Sequence, residues 1–410
     1  MITKTPTSPT EVLYSIYGRK APVQCLGRLK TEEALICQRK SFLRDAELIT
    51  MPGYEADRDG SEIAVSYNYG SSLINWMYGA SIVNPLPPHY RCKTCKKIIF
   101  SPADDGWDLP EEECCGQPMV RDGHSIPSES LASKLNCCNE LTILLAESFA
   151  DRAEDFIREF YRREYVMTPF EDEFERKAER RFILIPVDCP LPQLNENGIW
   201  QTDLRKVEDS GYQIITLAYR ELKEKVRNYR KKTGLKPSID DLLTIPVMAT
   251  TQAKLINEII KKGSTPPKSD DPSFSTLLRT LGYIASTQTE ANPMLWDSNA
   301  RYTDFFFCRE QVWEMVSKAL KPEYGISSSF AEMITKYTRQ GRFTNNRMEL
   351  DTEQVLRYIG IEDRWIEQMK QTCYLPPKAD LIPRLLDYMK LAWYELKDES
   401  RLIEEDRNEY

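Results

Sequence analysis

Four cysteines in two close pairs constrain this chain more than any other feature of its sequence. Two residues separate Cys92 from Cys95, and nineteen positions after Cys95 the adjacent pair Cys114 and Cys115 begins. Thiolates presented by two tight turns can hold one tetrahedral metal ion with four sulfur ligands, as in structural zinc sites. The spacing therefore predicts one structural zinc ion, held in a small β-ribbon over residues 91–127.

The second cysteine pair is the less usual half of this site, because a two-residue spacer is the commoner way to aim two thiolates at one ion. Gly116 follows the pair and suits a turn position with positive φ. The local sequence resembles the second knuckle of desulforedoxin-type domains, in which the ion is iron. Zinc is the expected ion, with iron as the alternative. His124 is a second candidate for the fourth ligand, whereas His89 is expected to play a structural role in its loop.

Composition narrows the class of protein. The chain has 410 residues, 41 % of them hydrophobic, which is enough for two or three domains with real cores. The net charge of −8 argues against broad coating of nucleic acid, although a local basic groove can exist on an acidic protein. Eleven cysteines without a signal-peptide pattern indicate a reducing compartment. With no apolar run long enough to span a membrane, we expect a cytoplasmic protein.

The segments around the cysteines resemble the PolC type of bacterial DNA polymerase III alpha subunit, in which a four-cysteine zinc module interrupts the palm. Residues 84–90, 108–110 and 122–127 match the entrance, middle and exit of that module. Residues 182–186 resemble a palm strand, and residues 307–396 resemble the fingers. The resemblance implies an α+β fold: a reduced PolC-like palm, an inserted four-cysteine zinc ribbon and a helical fingers-like C-terminal region.

This resemblance also implies a domain organisation. The predicted segments are an N-terminal segment of unassigned role (1–57), the first part of the palm-like region (58–90), the zinc ribbon (91–127), the remainder of the palm-like region (128–260), a linker (261–272) and the helical fingers-like region (273–410). The linker prediction depends on its content of Lys, Ser, Pro and Asp.

Departures from the family pattern concern the catalytic metal ligands. Polymerases of this family hold two magnesium ions with an Asp-x-Asp pair on one palm strand and a third Asp on a neighbouring strand, because nucleotidyl transfer needs hard oxygen ligands. The chain lacks that pair after residue 127, and its apolar spacing predicts a helix from Asn139 to about Tyr165 instead. Ile215 is expected at the place of the third Asp. We therefore expect no catalytic residues and no magnesium.

The phosphate loop departs from the pattern as well. Gly70, Ser71 and Ser72 resemble the family's glycine-serine loop, whose small residues cradle a triphosphate. The bulky Tyr69 precedes them where a close approach of phosphate needs glycine. The sequence thus predicts a degenerate phosphate loop.

Two basic clusters are candidates for DNA contacts. The candidate residues are Lys223, Lys225, Arg227 and Arg230 in a helix that Gly234 is expected to end, and Lys336, Arg339 and Arg342 at the end of a later helix. Each cluster is either a solvated helix face or a surface that contacts phosphates.

Three functions remain open at this stage. The first is an inactive polymerase relative that binds primer-template or single-stranded DNA, or replisome proteins, as an accessory or competitor in replication. Phages and mobile elements carry trimmed copies of replication genes, so such an origin is compatible with it. The second is an active nucleotidyltransferase completed by a partner chain or by unaligned ligands. The third is a zinc-ribbon module that contacts proteins alone. The sequence leaves the oligomeric state open.

Overall fold

A computed structural model of the chain describes residues 8–36, 62–65, 69–129, 140–172, 179–202, 207, 212–244, 273–286 and 305–408. The chain divides into two compact units. Unit 1 comprises residues 1–102 and 109–236, and unit 2 comprises residues 103–108 and 237–410. The predicted linker, residues 261–272, lies outside the described residues.

All strands of the described residues lie in unit 1. They are β1 (Ala64–Val65), β2 (His89–Arg91), β3 (Ile98–Phe100), β4 (Glu113–Cys114), β5 (Gln117–Pro118), β6 (Val120–Asp122), β7 (Glu140–Leu145), β8 (Tyr165–Asp172), β9 (Glu179–Pro186), β10 (Trp200–Thr202) and β11 (Gln213–Tyr219). Six of them form a mixed sheet in the order β1-β7-β11-β9-β8-β10. β7 and β11 run parallel at its centre, and β9 pairs antiparallel with both β11 and β8.

Helices cover this sheet. Unit 1 contains α1 (Pro9–Tyr17), α2 (Val23–Ile36), α3 (Leu73–Met77), α4 (Ala150–Tyr161) and α5 (Glu221–Thr233). Ser8 caps α1 in a capping box with Glu11, and Pro9 stands in the first turn, where its missing N–H costs no hydrogen bond. Gly234 ends α5 with a φ of 68°, as the sequence predicts.

Alternation along the central strands separates the two faces of the sheet. On one face, buried side chains pack with α1, α2 and α4 into the main core of unit 1. The strand residues in this core are Val65 of β1, Leu141, Ile143 and Leu145 of β7, Ile215 and Leu217 of β11, Phe182 and Leu184 of β9, and Met167 of β8. The opposite face carries a smaller apolar cluster that includes Phe170, Ile183 and Ile214.

The predicted helix from Asn139 to Tyr165 is wrong in its first part. Residues 140–145 form the strand β7, and the helix α4 begins only at Ala150. Two features misled the prediction: Leu141, Leu144 and Leu145 fit a helical spacing, and the strand is followed at once by a true amphipathic helix. β7 is a central strand buried between β1 and β11, so apolar residues occur on both of its faces. Apolar runs over residues 182–187 and 214–218 predict two buried strands. β9 and β11 confirm both.

The ribbon over residues 91–127 consists of short strands. β2 pairs with β3 and β6 in a three-stranded sheet, and β4 and β5 form a hairpin beside it. The segment between the two cysteine pairs leaves this ribbon at residue 103, because residues 103–108 belong to unit 2.

Unit 2 is helical. It contains α6 (Ile239–Leu243), α7 (Phe274–Ala285), α8 (Arg309–Ala319), α9 (Ser329–Arg339), α10 (Leu350–Tyr358), α11 (Asp363–Gln371) and α12 (Lys378–Asn408). Asp108 accepts hydrogen bonds at the start of α7 from the backbone N–H groups of Phe274 (2.5 Å) and Ser275 (3.0 Å). The helical C-terminal region is thus present, while its equivalence to polymerase fingers stays a prediction. Within the described part of the chain, every helix is too short or too polar to cross a bilayer.

Candidate functional site

The four predicted cysteines converge on one point. Their sulfur atoms all lie within 4.8 Å of one another. The Sγ of Cys95 is 3.5 Å from that of Cys114, which is 3.9 Å from the Sγ of Cys115. Four sulfurs placed tetrahedrally at about 2.3 Å from an ion are separated by roughly 3.8 Å, so the cluster has the size of a metal site.

Backbone conformation explains how the adjacent pair joins this cluster. Cys115 and Gly116 are both left-handed, with φ of 55° and 71°. The positive φ predicted for Gly116 is confirmed, whereas the same conformation at Cys115 was not expected, because a side chain disfavours it. Two consecutive left-handed residues turn the chain sharply enough to aim neighbouring thiols at one centre. In the first pair, Lys96 takes this role with φ of 62°.

The charges of the cluster favour a cation. The backbone N–H of Cys95 donates to the sulfur of Cys92 and lowers the pKa of that thiol to about 6. Contact with the Cys95 and Cys92 thiols raises the pKa of Cys114 to about 12, because a second thiolate beside the first is repelled. A divalent cation removes this conflict by stabilising all four thiolates. The donor set fits zinc, which prefers sulfur ligands in structural sites.

The two histidines lie apart from this cluster. His89 and His124 are both fully buried. Nδ1 of His89 is 2.7 Å from the carbonyl oxygen of Pro87, and its Nε2 is 3.4 Å from the hydroxyl of Tyr17. In the part of the chain that the structure describes, the four cysteines form the single metal-type cluster. That cluster does not include His124 as the fourth ligand.

The predicted phosphate loop is occupied by a side chain of the protein itself. Gly70, Ser71 and Ser72 are buried and lead into α3. The carboxylate of Glu32, 1 % exposed, accepts hydrogen bonds from the Ser72 hydroxyl (2.8 Å) and from the backbone N–H groups of Leu73 (2.8 Å) and Ile74 (3.1 Å). Donors of the type that would hold a phosphate are therefore engaged by an internal carboxylate.

Arg28 completes this buried group. Its guanidinium forms an ion pair with Glu32 at 2.5 Å and donates to the carbonyl oxygens of Ser71 (2.7 Å) and Ile126 (2.5 Å). The side chains of Arg28 and Glu32 are 8 % and 1 % exposed, so both charges depend on this pairing. The sequence prediction missed these two residues, although their four-residue spacing in a helix signals an ion pair.

Carboxylates are scarce on the two parallel strands at the centre of the sheet. An Asp-x-Asp pair on one strand places both side chains on the same face, next to a third on the adjacent strand. β7 carries one acidic residue, Glu140, and β11 carries none. Thr142 of β7 lies opposite Thr216 of the neighbouring strand β11. On its other side, Thr216 lies opposite Arg181 of β9. A row of two buried threonines and an arginine thus crosses the three central strands.

Ile215, the expected place of the third Asp, is fully buried and pairs with Leu141 and Phe182 in the main core. The neighbouring Thr216 lies on the opposite face, beside Thr142. The correspondence of Ile215 to the family's third ligand stays a prediction.

The first basic cluster is divided by burial and by ion pairs. Lys223 is only 5 % exposed and therefore faces inward from α5. The other three members have acidic neighbours: Lys225 pairs with Glu221, Arg227 with Glu224 and Arg230 with Glu62, at distances of 2.5, 3.5 and 3.8 Å. A DNA contact by this row stays a prediction, and its members do not share one open surface.

The second basic cluster surrounds the end of α9. Lys336 and Arg342 are exposed, and Arg339 is partly buried. The guanidinium of Arg342 lies 5.0 Å from the ring centroid of Tyr337, within the range of a cation–π contact. DNA binding by this cluster is likewise a prediction.

Comparisons with known proteins point to one family. No protein-family model matches the chain. The DNA polymerase III PolC-type of Halalkalibacterium halodurans is 34 % identical over 430 residues, which cover 82 % of this chain and 28 % of that protein. The Thermotoga petrophila enzyme of the same name is 23 % identical over 484 residues, covering 93 % of this chain and 33 % of the relative.

These similarities make the chain a distant relative of PolC-type DNA polymerase III and confirm the resemblance found in the sequence. A shorter match, to the PolC-type polymerase of Ureaplasma parvum, is 45 % identical over 118 residues, or 28 % of this chain and 8 % of that protein. The chain spans about a third of the length of the curated relatives that it matches.

Proposed function

We propose that this chain is a catalytically inactive polymerase relative that binds DNA or replisome proteins as an accessory or competitor in replication. The observation that carries the proposal is the row formed by Thr142, Thr216 and Arg181 across the central strands. In-line nucleotidyl transfer by two metal ions needs several carboxylates at one place. Glu140 is the single acidic residue that β7 and β11 supply there.

The arginine makes this position unfavourable for a metal ion. Arg181 is 9 % exposed and lies 3.9 Å from its acidic neighbour Glu179. A fixed positive charge beside Thr216 repels a divalent cation most strongly where water is excluded. The threonine hydroxyls carry no charge, and the nearby carboxylate of Glu179 is paired with Arg181 itself. The row of Thr142, Thr216 and Arg181 therefore supports the loss of metal-dependent nucleotidyl transfer. It does not favour the replacement of the usual ligands by other metal-binding residues.

The turn at Gly70 supports the same proposal independently. Glu32 engages the hydroxyl of Ser72 and the amide of Leu73, both within 2.8 Å. A triphosphate at this turn would have to displace a buried carboxylate that is also paired with Arg28. Leaving that arginine unpaired in the interior would cost several kcal/mol.

Primer extension tests the proposal directly. Purified chain is mixed with a labelled primer-template, all four deoxynucleoside triphosphates and either Mg²⁺ or Mn²⁺. We expect no extension above that of a mock preparation from the same host. Template-dependent extension that is retained after removal of host polymerase would overturn the proposal, and would favour the alternative of an active subunit. Repeating the assay with added host replication proteins tests activity that needs a partner chain.

A metal-binding experiment tests whether Thr142, Thr216 and Arg181 keep a divalent cation from binding at the sheet. Electron paramagnetic resonance of Mn²⁺ should show no ion bound at the sheet of the natural chain. The triple variant Thr142→Asp, Thr216→Asp, Arg181→Gln should gain Mn²⁺ binding, since two carboxylates would then stand at paired positions of adjacent strands. Thr168→Asp on β8, another buried threonine, serves as the control and should gain none. Mn²⁺ bound by the natural chain and lost in Glu140→Gln would contradict the proposal.

A further inference from the structure

The end of α9 is an unusually basic stretch of an acidic chain. Residues 333–348 contain four basic residues and no Asp or Glu, although the whole chain has a net charge of −8. Lys336, Arg342 and Arg347 are exposed. Among the acidic residues that the structure describes, none forms an ion pair with these three side chains. Their charges are therefore available to an external anion, unlike those of Arg227 and Arg230 on α5.

Backbone geometry holds this stretch against an aromatic residue. Gly341 has a φ of 63°, and a Cβ added there would lie 2.6 Å from the carbonyl oxygen of Cys373. The turn after α9 thus packs closely on the chain just before Tyr374. Asn345 and Asn346 continue the turn in the left-handed region with φ of 57° each, and both are exposed. The basic side chains accordingly emerge from a defined turn rather than from an extended tail.

Tyr374 supplies an accessible ring at the same place. It is a large hydrophobic residue that is 39 % exposed. Burial of the rest of the side chain and the negative charge of Asp380 raise the pKa of Tyr374, whereas the positive charge of Arg339 lowers it. A second ring, that of Tyr337, lies under the guanidinium of Arg342. Cations interleaved with aromatic rings form the type of surface that holds single-stranded nucleic acid.

We propose that this surface, formed by Lys336, Arg342, Arg347 and Tyr374, binds single-stranded DNA. The three cations contact successive phosphates, and Tyr374 stacks on an unpaired base. Stacking requires an exposed base face, which a duplex does not offer, so the ring favours the single strand. The inference rests on the proposed function, because it names the DNA-contacting surface and the form of DNA that it takes.

Fluorescence anisotropy with a labelled oligo-dT strand and a labelled blunt-ended duplex of two strands tests the surface over a series of salt concentrations. The full chain is compared with the variant Lys336→Gln, Arg342→Gln, Arg347→Gln. Each lost phosphate contact on a single strand flattens the slope of log affinity against log salt by about 0.7, so we expect a decrease of roughly 2. Affinity at low salt should fall at least tenfold.

A matched variant at the end of α5 and just after it, Lys231→Gln, Lys232→Gln, Lys236→Gln, removes the same charge from exposed lysines that are not candidate DNA contacts. It should bind oligo-dT within about twofold of the natural chain, since nonspecific attraction alone is reduced. Circular dichroism of each variant confirms that the fold is retained. If the α5 variant loses binding while the α9 variant keeps it, the inference is overturned and DNA binding itself is retained.

Tyr374→Leu tests the stacking contact. We expect about a tenfold loss of affinity for oligo-dT, in line with the contribution of one stacked base, and no change for the duplex. An equal effect on both forms of DNA, or none on either, would overturn the preference for the single strand. If the natural chain binds neither form at low salt, the proposed DNA-binding function fails as a whole.

Discussion

The cysteine cluster and the turn at Gly70 differ in whether their polar groups already have partners within the protein. The cluster brings four sulfur atoms within 4.8 Å of one another and leaves two of its cysteines exposed. At the turn, Glu32 is almost fully buried and takes up the hydroxyl and amide donors of Ser72, Leu73 and Ile74. The cysteine cluster is arranged for an external ion. At the turn, by contrast, the hydrogen-bond donors already have an acceptor in the protein itself.

This difference shows which parts of a polymerase-like chain can still bind a ligand. A site that binds an external group keeps ligand atoms whose charges are unfavourable alone, such as the thiol of Cys114, whose pKa is raised to about 12. A site that has become structural pairs its charges internally, as Arg28 and Glu32 do. The central strands are closer to the second case, because the paired residues Thr142 and Thr216 are uncharged.

The largest effect is expected from Cys92→Ser. Cys92 is the buried member of the cluster, and a structural zinc ion contributes directly to folding. Zinc content should fall from about one ion per chain to near zero, with unfolding of the ribbon. Metal analysis after dialysis and thermal denaturation measure both changes. Cys189→Ser, outside the cluster, should keep the metal; an unchanged zinc content in Cys92→Ser would remove the four-thiolate assignment.

Glu32→Gln tests the internally satisfied turn. Removing one partner of a buried ion pair leaves Arg28 with an uncompensated charge, so the free energy of unfolding should drop by about 3–5 kcal/mol. Urea denaturation gives this difference, with the half-buried neighbour Glu33→Gln as the control. Inorganic phosphate should not restore the stability of the variant. Restoration by phosphate would mean that the turn still accepts an anion, and the contrast with the cysteine cluster would be lost.

Asp108→Ala examines the segment that lies between the two cysteine pairs in sequence but belongs to unit 2. The variant leaves the first N–H groups of α7 without their carboxylate acceptor, which typically costs about 1–2 kcal/mol. Thermal denaturation should show the loss. Asp104→Ala is the control. The side chain of Asp104 is mostly exposed, so its ion pair with Arg279 should contribute less than about 1 kcal/mol to the free energy of unfolding. Equal effects of the two variants would argue against the cap.

The smallest effect is expected from Glu353→Gln in unit 2. A hydrogen bond from Lys370 holds the pKa of Glu353 below its ordinary value. A carboxylate with a lowered folded pKa stabilises the protein above its unfolded pKa and loses that contribution as the pH falls. The variant should therefore be about 0.5–1 kcal/mol less stable at pH 7 and equal to the natural chain near pH 3. Glu314→Gln, which breaks an exposed pair with Lys318, should change stability less at every pH.

Predictions from the sequence succeeded where neighbouring residues decide the structure. The convergence of the cysteines, the left-handed Gly116 and the end of α5 at Gly234 depend on turns within a few residues. The strands β9 and β11 were also predictable, because each is a short apolar run. The prediction failed at β7, whose leucines fit a helix and a strand equally well. Pairing with β1 and β11 resolved that ambiguity, and such pairing is not visible in one segment.

By itself, the sequence determined the four-cysteine ribbon and the relation to PolC-type polymerases, since both are encoded in short stretches of residues. Tertiary structure decided the rest. Register across β7, β11 and β9 placed Thr142 beside Thr216 and Arg181, and a helix from the start of the chain brought Glu32 to the turn at Gly70. These contacts join residues far apart in sequence, and a single-residue change of register would place different side chains on that face.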